Sequence, residues 1–152
     1  MSKTSCQGVF RSYFKNMRQR IDVKRVYDQD ATSDGIRVLV DRVWPRGLRK
    51  EALRLDAWEK ELAPSTALRT WFGHDPARWE AFRQRYFAEL DHRPEALARL
   101  RALARRGHLT LLYAARDTEH NNAVALREYL MGHSDRHRVE RSATTEPHTR
   151  AH

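Results

Sequence analysis

The run LTLLYAA at residues 109–115 constrains the fold of this chain more than any other stretch. A strand with one face in water alternates apolar and polar residues, whereas an unbroken, charge-free run of strand length reads as a strand buried on both faces. Such a strand needs cover on each side. Parallel sheets in α/β proteins supply that cover, so this one segment already argues against an all-helical chain.

The rest of the pattern agrees. Residues 21–27 (IDVKRVY) and 36–43 (IRVLVDRV) are rich in β-branched residues and read as strands, separated by the turn-prone QDATSDG. The sequence Trp44-Pro45-Arg46-Gly47 ends the second strand, because Pro resists strand continuation and Gly accepts turn angles. Leu55, Trp58 and Leu62 recur at helical spacing across residues 52–62, and Pro64 stops that pattern. Ser65 or Thr66 can cap a short helix carrying Leu68, Trp71 and Phe72. Asp75-Pro76 opens a helix with Trp79, Phe82, Tyr86, Phe87 and Leu90. Pro94 opens another, with Leu97, Leu100 and Leu103 on one face and Gly107 at its end. Asp117 or Thr118 is expected to cap a last helix containing Val124, Leu126, Tyr129 and Leu130. The expected fold is a small single-domain α/β sheet of at least three strands, at least partly parallel, flanked by several helices.

Charge is distributed unevenly. The chain has 152 residues with 29 Lys+Arg and 20 Asp+Glu, a net charge of +9. Residues 1–20 carry five basic residues and no acid, while residues 21–132 hold 20 basic and 17 acidic. More than half of the excess thus lies in a short leader, and a nucleic-acid role for the body loses most of its electrostatic motive. The leader has no continuous apolar segment of the kind secretory signals need, and Met17 stands as an alternative start. Residues 133–152 contain four of the eight His and almost no apolar residue, so a disordered tail without a metal site is expected. Cys6 is alone, which excludes an intramolecular disulfide and a cysteine-clustered zinc site. No window approaches 18 uncharged apolar residues, so no membrane span is expected.

Ligands of open α/β sheets bind beyond the carboxyl ends of the strands. Two exits stand out. After the second strand, residues 41–49 (DRVWPRGLR) bring Arg42, Arg46, the plane of Trp44 and the permissive Gly47 together, suited to a phosphate- or carboxylate-bearing ligand. The competing reading pairs Arg42 with Asp41 internally and makes Trp44 and Pro45 a packed corner. After the last strand, residues 115–122 (ARDTEHNN) lead into a helix start with free N–H groups. There His120 is a candidate acid or base, Asp117 its orienter or a base, and Asn121 a ligand-binding residue. The competing reading makes Asp117 a helix cap and the others ordinary first-turn residues. No GxGxxG, GxxxxGK[ST], HExxH or GxSxG is present, so no nucleotide cofactor, metal protease or nucleophile-elbow chemistry is supported.

The segments KRVYD (24–28), DGIRVLVDRVWPRGL (34–48), LAPS (62–65), LRTWFGHDP (68–76) and LLYAARDTEHNNAVAL (111–126) resemble the YeaO-like branch of the bacterial family called domain of unknown function 488. The resemblance spans residues 21–131. It implies an α/β fold and a bacterial cytoplasmic setting, and it brings no established reaction. Other branches resemble this one with a Cys-His-Arg cluster near the last helix. Here that stretch is His120-Asn121-Asn122, so a thiol nucleophile is not implied. The expectation is a protein that binds a small anionic ligand at the strand exits, with enzyme activity left open and no cofactor. The alternatives are a nucleic-acid-associated regulator, binding weakly and without sequence preference through the leader, and a partner-binding module without chemistry.

Overall fold

A computed structural model describes residues 20–133. The leader up to residue 19 and the tail from residue 134 lie outside the described residues. Among the described residues four strands form one sheet: β1 (Ile21–Arg25), β2 (Ile36–Leu39), β3 (Ala57–Trp58) and β4 (Leu109–Tyr113), in the order β1-β4-β2-β3. Every pairing is parallel. The helices are α1 (Thr66–Phe72), α2 (Trp79–Leu90), α3 (Pro94–Arg106) and α4 (Asn122–Glu128), the last running into a π-helical turn at Tyr129–His133.

Strand β4 is central and all five of its residues are buried, as its apolar run requires. Alternation divides them between two cores. Leu109, Leu111 and Tyr113 join Val38, Val40 and residues of all four helices in the larger core. Leu112 points the other way, into a smaller core with Leu39, Val26 and Leu53, against which Trp44, Leu48 and Trp58 pack. Helices thus cover one face and the chain between β2 and β3 covers the other.

Three local expectations are corrected. Residues 52–62 form no helix: a 3-10 turn (Lys50–Ala52), strand β3 and a second 3-10 turn (Lys60–Leu62) replace it. Leu55 and Trp58 pack on the smaller core while Leu62 enters the larger one, so the helical spacing does not mark one face. The backbone is instead drawn onto the edge of β2, where Glu59 N–H donates to the Leu39 carbonyl at 2.9 Å. The first two strands end earlier than expected, at Arg25 and Leu39. The cap of α4 is Asn121 rather than Asp117 or Thr118, its Oδ1 accepting from Val124 N–H at 2.9 Å. Ser65 does cap α1, and Asp75 accepts from Ala77 N–H ahead of α2.

Because every strand points the same way, the segments after β1, β2 and β4 leave at one edge. That edge holds the site.

Candidate functional site: a cavity at the carboxyl edge of the sheet

Asp41 is the first polar side chain past the end of β2, and the neighbouring strand end reaches across to it. Ala114 N–H donates to its Oδ2 at 2.9 Å and Asn122 Nδ2 to its Oδ1 at 3.0 Å. Asn122 also donates to the Val40 carbonyl at 3.0 Å, so one amide ties α4 to the exit of β2. Burial lifts the Asp41 carboxyl above the usual range, against the pull of Asn122, Ala114 and the nearby Arg69 charge. Tyr86, wholly buried behind it, has its hydroxyl pushed up by burial and by the Asp41 charge, and donates to the Leu62 carbonyl.

In front of Asp41 lies a cavity of about 270 Å³. Its charged and polar rim comprises Asp41, Arg42, Arg69, His74, Asn121 and Asn122, and Phe72 and Phe82 form an apolar wall. Arg42 makes no ion pair or hydrogen bond among the described residues, and its Nε is buried without a partner. An orphaned buried N–H is uncommon, since it forgoes the hydrogen bond it would make in water. Among the described residues the Asp41–Arg42 ion pair of the competing reading is not formed. Asp41 takes its partners from the next strand and helix, leaving the Arg42 guanidinium to the cavity.

His74 is a further lining residue. It follows Gly73, and both have positive φ, 52° for Gly73 and 58° for His74, so the chain leaves α1 through two successive left-handed residues. That conformation is uncommon in a non-glycine residue and turns His74 onto both this cavity and an adjoining hollow of about 480 Å³.

The residues singled out from sequence fall into separate groups. Arg42 and Asn121 line the cavity, Asn121 as the buried cap whose Nδ2 donates to the Asp117 carbonyl at 2.9 Å. Asp117 borders the adjoining hollow. Its Oδ1 accepts from Glu119 and His120 N–H at 2.9 and 3.0 Å, and its Oδ2 lies 3.0 Å from His120 Nδ1. The Glu119 N–H above all, with His120, outweighs burial and holds Asp117 below the usual carboxylate range, which makes it a weak proton acceptor. The His120 ring packs edge-on against Trp79, 5.2 Å between centroids. Trp44, Arg46 and Gly47 line neither cavity. Trp44 stacks edge-on with Trp58 and donates to the Leu48 carbonyl at 2.7 Å, while the carbonyl of the exposed Arg46 accepts from the Tyr27 hydroxyl. Gly47 takes φ 82° at the tip of that loop. Arg69 and His74 were missed by spacing arguments, because they belong to a helix end rather than to a strand exit. Among the described residues no group of three or more His, Cys, Asp or Glu is placed to hold a metal ion.

A family profile described as the inactive DUF488-N3 subclade matches residues 20–149. The chain belongs to the DUF488 family. It is 46% identical over 110 residues to the Escherichia coli protein named "Uncharacterized protein YeaO", covering 72% of this chain and 96% of that one. It is 44% identical over 113 residues to the Mycobacterium bovis protein named "Uncharacterized protein Mb3100c", covering 74% of this chain and 95% of its relative. These matches place it in the YeaO-like branch of DUF488. No solved structure matches this DUF488 chain.

Proposed function

We propose that this DUF488 chain is a cytoplasmic protein that binds a small anionic ligand in the cavity at the carboxyl edge of its sheet, and that it does so without catalysing a reaction. The observation that carries the reading is Arg42, a guanidinium with a buried, unpartnered Nε on the wall of a cavity it shares with Arg69 and His74. Its bidentate donors suit a phosphate or carboxylate. Strand-exit position supports the reading too, since ligands of open α/β sheets gather there. In this reading His120 and Asp117 brace the start of α4 through their mutual contact, and the family description "inactive" agrees with binding in place of chemistry. The nucleic-acid alternative loses support on α3, where Arg99 is held by Glu59 at 2.9 Å and Glu61 at 3.6 Å rather than free for phosphates.

A thermal-shift screen of the full chain against anionic metabolites and oligonucleotides tests this. A ligand that binds only the folded state at one hundred times its Kd adds about 2.7 kcal/mol of stability. The expected outcome is a small anion that raises the Tm of the wild type and not of Arg42→Ala. Sequence-selective oligonucleotide binding at physiological salt contradicts the proposal.

A further inference from the structure

Phosphate sites are built chiefly from free backbone N–H groups at helix starts and turns. At this edge four of those groups are already engaged. Val124 N–H is held by Asn121, Glu119 and His120 N–H by Asp117, and Ala114 N–H by Asp41. Asn122 Nδ2 is committed to Val40 and Asp41. The charged donors that line the cavity without an ion pair among the described residues include the guanidinium groups of Arg42 and Arg69, whose planar fork matches a carboxylate.

Two more features narrow the ligand. Asp41 shares the enclosure, so a phosphate monoester with close to two negative charges would meet more repulsion than a single carboxylate. Half of the lining is apolar, with Phe72 and Phe82 stacked at 4.4 Å between centroids, and the volume of about 270 Å³ falls below the roughly 300–1,000 Å³ of drug-sized sites.

We infer that the cavity takes a small monocarboxylate with a compact apolar body, its carboxylate held by Arg42 and Arg69 and its body laid against Phe72 and Phe82. This rests on the reading of the cavity as an anion site and narrows it.

The test is calorimetric titration of the full chain with benzoate, acetate, phenyl phosphate and inorganic phosphate. Wild type is compared with Arg42→Ala and with Ala115→Leu, which fills the cavity from its wall without emptying the core. Benzoate is expected to bind roughly tenfold or more tightly than acetate, since each buried apolar group adds about that factor. Either variant should weaken benzoate by about tenfold or more, the worth of one charge-assisted hydrogen bond or of the occupied volume. Acetate binding as tightly as benzoate overturns the apolar body. Either phosphate binding more tightly than benzoate through Arg42 overturns the carboxylate and leaves the anion site standing. Failure of all four probes to bind in an Arg42-dependent way overturns both. Benzoate binding unchanged in both variants moves the ligand elsewhere and overturns the assignment.

Discussion

Arg37 and Arg42 lie five residues apart on and just beyond β2, and their surroundings are opposite. The Arg37 side chain is 1% exposed, reaches Asp34 at 2.5 Å and donates its Nε to the Arg54 carbonyl at 2.9 Å. Removing one partner of a buried pair leaves a desolvated charge, so Arg37→Ala is expected to cost roughly 3–5 kcal/mol in denaturant unfolding. Arg42 has no such partner among the described residues, and Arg42→Ala should stay within about 1 kcal/mol of wild type. A loss of several kcal/mol there would indicate an internal role for Arg42.

Asp41 supplies a pH dependence at the same scale. Its folded-state pKa is raised by burial, so its stabilising contribution is complete below the unfolded carboxylate value of 3.8 and is lost as pH rises through the folded value. The groups that face it are Arg69 from α1, Tyr86 from α2 and Asn122 from α4. The stability of the wild type relative to Asp41→Asn should therefore decline as pH rises from about 4 towards neutrality, followed by unfolding at a series of pH values. A flat or rising difference contradicts the assignment. The residue scale was also where the sequence said least. Arg42 was visible as a charge after a buried strand, but nothing local reveals that Asp41 turns to Ala114 and Asn122, because those partners lie 73 and 81 positions away.

At the scale of elements, helix starts and the central strand were legible because their signals are local. Ser65, Asp75-Pro76 and Pro94 each mark a turn by chemistry within three residues. Strand β3 was illegible for the converse reason: its two residues gain strand geometry only by pairing with Val38 and Leu39. The start of α4 misled in a different way, since Asp117 does collect N–H donors, but one turn early, and Asn121 takes the helix itself. Asn121→Ala is expected to cost about 1–2 kcal/mol, the worth of a buried cap, and to loosen the cavity wall it lines. At the entry to β2, Gly35 has φ 69° and an added Cβ would stand 2.4 Å from the His108 carbonyl oxygen. Gly35→Ala should cost more than about 1 kcal/mol, because both the dihedral and the backbone contact must give. Wild-type stability in that variant would mean the β2–β4 register is looser than the pairing indicates.

At the scale of the whole molecule, the parallel sheet is what brings the exits of β2 and β4 to one edge. Had β2 run antiparallel to β4, Arg42 and Asn121 would stand at opposite ends and share no cavity. The two-sided burial of residues 109–113 made that sheet readable from sequence, whereas the closing of the cavity by Arg69 and His74 depends on how α1 packs across it. The core residues named above all lie between Ile21 and Leu130. We therefore expect removal of residues 1–16 and 134–152 to leave a cooperatively folding domain, tested by comparing its Tm with that of the full chain. A large fall would show that one of these ends packs on the body. No helix among the described residues is long and apolar enough to cross a membrane. Whether the cavity beside Arg42 is an anion site can be read from the arginine Nε–H resonances, followed by NMR during a titration with benzoate. The Arg42 signal should shift saturably while that of Arg46 stays in place; a static Arg42 signal, or a shift confined to Arg46, would rule out an anion site beside Arg42.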